Sequence, residues 1–196
     1  MGVASVTDRV LPYIFPSGNF DAVEATIDQC VAVGNPPPKR EIATQATQFG
    51  ALARITTTNF FLPSAKKRLV IVLTDGESLP FAPRVLGTAL GKTSGLYPIF
   101  VHFWRPKEQV FTNGAPEVSY RSDPRSGPTM AALGKATHGL AADESQLDRV
   151  VSASRAFLGN GKTLPGSSRR DSLALAPFSL LVALVPLGVL LRRRVF

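Results

Sequence analysis

The stretch VIVLTDGES at residues 70–78 decides the fold. Its apolar half extends a run that begins at Leu69, and such uninterrupted runs are typical of strands buried on both faces of a parallel sheet. The polar half begins with Thr74 and Asp75, and the following Gly76 favours a turn. The stretch therefore predicts a buried strand that ends in an acidic turn.

Hydrophobic periodicity places further strands and helices on either side of this strand. The predicted strands are 2–10, 11–15, 69–73, 96–103 and 140–142. The predicted helices are 20–33, 47–55, 82–91, 129–137 and 145–158, with a long loop at 104–128. Asn19 or Asp21 is the expected N-cap of the first helix. This order predicts an α/β fold with a Rossmann-like, doubly wound, mostly parallel sheet.

Asp75 is the first candidate site residue. In doubly wound sheets, ligands bind at the carboxyl ends of the strands, and Asp75 lies at that end of the most apolar strand. A carboxylate there suits a hard cation such as Mg²⁺. It equally suits a local turn in which the side chain accepts hydrogen bonds from nearby backbone amides. The residue types alone do not separate these two interpretations.

Several segments resemble a von Willebrand factor A (VWA) domain. Residues 70–77 (VIVLTDGE) look like its fourth strand and residues 1–8 (MGVASVTD) like its second. Residues 136–139 (ATHG) and 147–151 (LDRVV) are similar to the end of the domain, so the resemblance covers about residues 1–158. The family's first strand and its Asp-x-Ser-x-Ser loop have no counterpart. We therefore expect an N-terminally truncated domain that lacks the first central strand, and the alternative is a degenerate domain that binds no metal.

The VWA resemblance implies a metal-ion-dependent adhesion site built from three loops. The aspartate of the third loop maps onto Asp75, and the threonine of the second loop maps onto Thr47, with Thr44 as second choice. Because the first loop is missing, Mg²⁺ binding is expected to be weak or absent. The implied function is protein binding, in which an acidic side chain of the partner completes the coordination. The alternative is a metal-independent structural or assembly module of a membrane complex, and neither is an enzyme.

The C-terminal region predicts a membrane anchor. Residues 172–191 contain no charged side chain, and twenty helical residues span about 30 Å of hydrocarbon. The sequence thus predicts a partial domain at 1–158, a linker at 159–171, a transmembrane helix at 172–191 and a basic tail at 192–196. Arginines 192–194 favour a cytoplasmic C-terminus and an extracytoplasmic domain in the bacterial cell membrane.

Charge and motifs argue against other function classes. The net charge is +8, but residues 1–158 hold 16 Lys and Arg against 13 Asp and Glu, so most of the excess flanks the apolar tail and nucleic-acid binding is not expected. Residues 159–163 (GNGKT) end like a phosphate loop but lack its first glycine and its strand–helix context. Ser78 with His102 or His138 lacks a nucleophile elbow. Ser78 is instead expected either to cap the N-terminus of a helix or, with Glu77, to add polar contacts near a cation.

Overall fold

An antiparallel hairpin opens the fold. The computed structural model describes residues 1–31, 47–93, 95–112, 115–118 and 120–159. Strand β1 (Val3–Val6) pairs with β2 (Val10–Ile14), and helix α1 (Phe20–Cys30) follows. The side chain of Asn19 accepts a hydrogen bond from the amide of Ala22 at 3.1 Å. Asn19 is therefore the N-cap that the sequence predicted.

The remaining elements build a parallel sheet with helices around it. In chain order they are a 3₁₀ helix (Phe49–Thr56), β3 (Arg68–Thr74), α2 (Pro83–Gly91), β4 (Leu96–His102), β5 (Phe111–Thr112), β6 (Ala115–Pro116), α3 (Ser126–Ala136), β7 (Leu140–Asp143) and α4 (Leu147–Leu158). The three strands β3, β4 and β7 form a parallel sheet in the order β3-β4-β7. Strands β5 and β6 form a separate short hairpin.

Two apolar clusters cover the two faces of β4. Phe100 faces one cluster, and Ile99 and Val101 face the other. The Phe100 cluster is completed by the 3₁₀ helix, α2 and α3 through Phe49, Leu52, Ile55, Leu86, Leu90, Met130 and Leu133. The opposite cluster is completed by β7 and α4 through Leu140, Ala142 and Val150. The central strand is thus buried on both faces, as expected for a parallel strand.

The predicted doubly wound sheet needs correction. The expected strand at 2–10 is broken by a turn at residues 7–9, where the amide of Thr7 donates to the carbonyl of Arg9 at 3.0 Å. The chain reverses there without a crossover helix, and only a crossover allows parallel pairing. Within the described residues, β1 pairs only with β2, and β3 pairs only with β4. The fold is a mixed α/β domain with a three-stranded parallel sheet and a separate hairpin.

The edge of β3 that faces away from β4 is open within the described part of the chain. Ile71 and Leu73 of this strand are 46% and 67% exposed. Their neighbours Val70 and Val72 point to the opposite face and pack against the Phe100 cluster. One face of the most apolar strand is therefore only partly covered.

The predicted transmembrane helix also needs correction. In the ranges that the structure describes, no helix is long and apolar enough to cross a bilayer. The longest of these helices, α4, has 12 residues, whereas a spanning helix needs about 20. The predicted span at 172–191 and the basic tail lie outside the described residues, as does the linker beyond Gly159. The fold description therefore contains no membrane helix.

Candidate functional site

Polar residues meet where the three parallel strands end. The register pairs Thr74 of β3 with His102 of β4, and His102 with Asp143 of β7. The amide of Phe103 donates to the carbonyl of Thr74 at 2.8 Å, which extends the ladder by one bond. We call this edge the rim. It comprises the strand ends at Thr74, His102 and Asp143, the loop at 75–78, and the residues that contact this loop.

The carboxylate of Asp75 closes a local turn. Its Oδ1 accepts from the amide of Glu77 at 3.0 Å and lies 3.4 Å from the hydroxyl of Thr74. The amide of Gly76 donates to the same hydroxyl at 3.0 Å. Gly76 has a φ of +78°, a conformation that residues with a side chain rarely adopt. The structure thus places Asp75 at the rim. Its carboxylate stabilises a local turn, which was one of the two interpretations of this residue.

His102 holds this turn against helix α3. Its Nε2 lies 2.9 Å from the carbonyl of Asp75 and 3.1 Å from the hydroxyl of Ser126. A Cβ on Gly76 would lie 2.9 Å from the His102 ring and 3.0 Å from Cβ of Ser126. The hydroxyl that reaches His102 belongs to Ser126, which is 2% exposed. The contact therefore offers no exposed nucleophile and fixes the shape of the rim.

Thr47 lies in a segment that is bonded to the same loop. Its carbonyl accepts from the amide of Leu79 at 2.8 Å. The hydroxyl of Ser78 accepts from the amide of Phe49 at 3.0 Å and donates to the carbonyl of Leu79 at 2.9 Å. Ser78 therefore supports the N-terminus of the 3₁₀ helix, whereas Ala82 is the N-cap of α2.

The donor set around Asp75 does not fit a tight magnesium site. Within the described residues, no group of three or more His, Cys, Asp or Glu side chains is placed to hold a metal ion. Mg²⁺ requires near-octahedral oxygen ligation. Asp75 offers one carboxylate, whose Oδ1 already accepts from the amide of Glu77, and Thr47 offers one hydroxyl. The hydrogen bonds described above join residues 47–49 to residues 78–79. None of these bonds connects the side chains of Asp75 and Thr47.

Further carboxylates extend the rim on the side of residues 120–125. Glu77 accepts from the amide of Asp123 at 2.7 Å. Asp123 itself accepts from the backbone and side chain of Arg125, and these bonds lower the pKa of its carboxyl. At the far strand, hydrogen bonds from Ser145 lower the pKa of Asp143. The charge of Asp123 is thus compensated by Arg125, whereas Asp143 is stabilised as a carboxylate by neutral donors of Ser145.

Tyr120 is a rim residue that the sequence did not indicate. Burial raises the pKa of its phenol, and so do its hydrogen bond to Glu77 and the charges of Glu77, Glu108 and Asp75. The predicted loop at 104–128 contains this tyrosine, the β5–β6 hairpin and the first residues of α3. No periodicity marks such contacts, because they are made by irregular backbone.

Loss of stability at high pH is expected to depend on Tyr120. Because its pKa is raised in the folded state, the unfolded phenol ionises first, near pH 10, and stability falls from there upward. Tyr120→Phe removes this contribution. Urea unfolding at about pH 8, 10 and 11 is expected to show a shallower decline for the variant than for the wild type. Parallel declines would contradict the assigned environment of Tyr120.

The chain resembles two solved structures in fold. One is the conserved hypothetical protein BatB from Bacteroides thetaiotaomicron, with a TM-score of 0.61, 14% identity, and coverage of 80% of this chain and 78% of that one. The other is an aerotolerance-related membrane protein from Bacteroides fragilis NCTC 9343 with multiple mutations to serines, with a TM-score of 0.54, 14% identity, and coverage of 80% and 76%. No protein-family model and no curated protein matches the chain.

At 14% identity these similarities concern the fold alone. They show that the described α/β arrangement occurs in proteins of known structure. The more specific assignment to VWA domains stays a prediction, as does the metal role of Asp75 and Thr47.

Proposed function

We propose that this chain is a non-catalytic protein-binding module of VWA-like architecture, and that its partner docks on the rim. The observation that carries the proposal is the convergence of Thr74, His102 and Asp143 at the ends of three adjacent strands. Ligands of parallel α/β sheets bind at this edge. The hydrogen bonds of His102 to the turn and to α3 hold the surface in a fixed shape, which lowers the entropic cost of binding.

The charge of the rim favours a partner with basic side chains. Hydrogen bonds from Ser145 lower the pKa of Asp143, and the charges of Glu77 and Asp75 raise the pKa of the neighbouring phenol. Asp123 contributes less, because it is paired with Arg125. Complementary charge speeds association and excludes wrong partners. Such a contact needs no metal ion.

Membrane association is part of the proposal. It rests on the neighbour described as an aerotolerance-related membrane protein, whose fold the chain resembles. The chain expressed in a bacterial host is expected to sediment with the membrane fraction. Recovery in the supernatant would contradict this part of the proposal and leave protein binding unaffected.

Metal-dependent binding is the second candidate function. The bonds between residues 47–49 and 78–79 bring the segment of Thr47 beside the loop of Asp75, as a shared Mg²⁺ site requires. In this version, an acidic side chain of the partner completes the coordination. The sparse donor set supports only weak binding, in the millimolar range or above, where about −4 kcal/mol of binding free energy corresponds to 1 mM.

Site-directed photo-crosslinking in cells tests docking at the rim. A benzophenone amino acid replaces Arg125, whose side chain is 86% exposed beside Asp123. The matched control replaces Lys66, an exposed residue ahead of β3 and thus near the opposite edge of the sheet. We expect a discrete adduct from position 125 that is absent from position 66. Identical adducts from both positions, or none from position 125, would overturn the proposal.

Chelation separates the two candidate functions. The metal-independent version predicts the same yield of adduct in about 5 mM EDTA as in about 5 mM Mg²⁺, because charge pairing and complementary shape stabilise the contact. Asp75→Asn, which removes one rim charge and keeps the shape of the side chain, is expected to lower the yield equally in both conditions. A yield that requires Mg²⁺ and is lost in Asp75→Asn would establish the metal-dependent version instead.

A further inference from the structure

The apolar part of β3 reads the same in both directions. Residues 69–73 are Leu-Val-Ile-Val-Leu, so the stretch is symmetric about Ile71. Its flanks carry opposite charges, because residues 66–68 (Lys-Lys-Arg) precede it and Asp75 and Glu77 follow it. Strand β3 therefore has a self-complementary apolar centre between a basic end and an acidic end.

The open edge of β3 presents the backbone groups of alternate residues. The amide of Arg68 donates to the carbonyl of Gly95 at 2.7 Å, which places the backbone groups of Arg68 on the β4 side. The hydrogen-bonding groups of successive residues point to opposite sides of a strand, so those of residues 69, 71 and 73 point away from β4. Within the described residues no strand pairs with them. Such an edge is a template for a strand of another molecule.

We propose that this edge pairs with the same edge of a second copy of the chain, antiparallel and centred on Ile71. Each Ile71 then lies opposite the Ile71 of the other copy, and each Leu69 lies opposite a Leu73. In an antiparallel pair, opposite residues whose backbone groups face the partner strand exchange N–H···O=C hydrogen bonds. Residues 69, 71 and 73 are the ones whose groups face outward, so the register that matches the side chains also satisfies the backbone.

The pairing also covers exposed apolar surface. Ile71 and Leu73 are 46% and 67% exposed, and they lie on the face of β3 opposite to Val70 and Val72, which pack against the Phe100 cluster. Opposite side chains of an antiparallel pair lie on the same face, with their Cβ atoms about 4.5–5.5 Å apart. The exposed side chains of the two copies therefore form one apolar strip that continues across the two-fold axis.

The charges at the two ends of β3 favour a second copy over an unrelated strand. Counting outward from Ile71, the antiparallel register sets Lys67 of each copy opposite Asp75 of the other. Opposite charges in such positions stabilise a strand pair. Within its own copy, Lys67 donates to a backbone carbonyl of α4 and Asp75 accepts from a backbone amide, and both of these groups are neutral. A parallel pairing would instead set the two basic ends against each other.

Position 71 lies opposite itself in this assembly, which gives a direct test. Two copies of the full chain that carry different affinity tags are co-expressed and purified through one tag in a mild non-ionic detergent. The second tag is then measured by immunoblot. We expect the wild type to recover the wild type, and Ile71→Lys to recover Ile71→Lys about tenfold less or worse, because like charges face each other. The same loss is expected for Ile71→Glu with itself.

Combining the two variants tests the register. Ile71→Lys co-expressed with Ile71→Glu is expected to restore recovery, because opposite charges then meet at the two-fold axis. Val85→Lys and Val85→Glu are the matched controls, since Val85 is 69% exposed on α2 and does not belong to β3. Each control is expected to recover itself as well as the wild type does.

Three results would overturn the proposal. They are no recovery of wild type by wild type, undiminished recovery of Ile71→Lys by itself, and no restoration when the lysine and glutamate variants are combined. If either variant does not fold, Lys67→Glu decides, because it sets a carboxylate opposite Asp75 of the other copy, and unchanged recovery would then overturn the pairing. The crosslinking test at position 125 concerns a different surface, so failure of the pairing leaves docking at the rim intact.

Discussion

Phe100→Ala is expected to lower the free energy of unfolding by about 4 kcal/mol. Phe100 is fully buried at the centre of β4, and it packs against the 3₁₀ helix, α2 and α3. Removing the ring costs its transfer free energy and leaves a cavity among three helices that cannot all move inward. Urea unfolding followed by far-UV circular dichroism measures the change. A domain of this size has about 5–15 kcal/mol in total, so the variant is expected to unfold at a much lower urea concentration.

Phe111→Ala is the matched control. The same atoms are removed from a residue that is 59% exposed on the short strand β5. The expected change is within about 0.5 kcal/mol of the wild type. Comparable losses in the two variants would show that the Phe100 cluster is not the principal core.

Gly76→Ala is expected to destabilise the domain by about 2 kcal/mol and to abolish docking at the rim. The positive φ of Gly76 penalises any Cβ by about 1–2 kcal/mol. The new methyl group would also meet the His102 ring and Ser126 at 3.0 Å or less. The ring must move, and the bond of His102 to the carbonyl of Asp75 is lost with it. Urea unfolding gives the stability, and the crosslinking yield at position 125 gives the docking.

Gly18→Ala separates this local effect from the general effect of a methyl group. A Cβ on Gly18 meets no atom within 4 Å, and the backbone there is not in the left-handed region. Its stability is expected to be equal to that of the wild type or slightly greater, because the unfolded chain loses entropy. If Gly76→Ala kept both stability and docking, the rim would not depend on the turn geometry described here.

Local signals in the sequence predicted much of the central sheet. The apolar runs at 69–73 and 96–103 correspond to β3 and β4, and the brief strand at 140–142 corresponds to β7. Burial on both faces demands continuous apolar residues, and this holds for β4. The run at 69–73 also forms a strand, but its expected burial on both faces is wrong, because Ile71 and Leu73 are exposed. Their order along the chain then placed Asp75 at the carboxyl edge without knowledge of any contact.

Features that depend on tertiary packing were not predictable in the same way. The turn at 7–9 has no glycine or proline, and Asp8 alone is a weak signal for the reversal that makes the N-terminal strands a hairpin. The segment at 47–55 has helical periodicity, which does not distinguish the 3₁₀ helix that forms. The contact of His102 with Ser126 joins residues that are 24 positions apart and depends on how α3 packs against the end of β4. Such packing has no signature in a local stretch of sequence.

The expected membrane helix shows a different limit. The length of an apolar segment and its charged flanks indicate whether that segment is suited to a lipid bilayer. They carry no information about the fold of the globular domain. Residues Met1–Gly159 form one compact unit. The described structure therefore supports arguments about the sheet and its rim, and these arguments do not depend on an anchor.

The open side of β3 has a practical consequence for handling the protein. A strand whose outer N–H and C=O groups lack a neighbour is a template on which another molecule can add its own strand. Here the template also exposes Ile71 and Leu73, so stacking between molecules would bury hydrocarbon as well. Because no strand of the described part of the chain pairs with this edge, we expect concentrated samples to aggregate through it, and a lysine in place of Ile71 is the substitution best suited to keep them monodisperse.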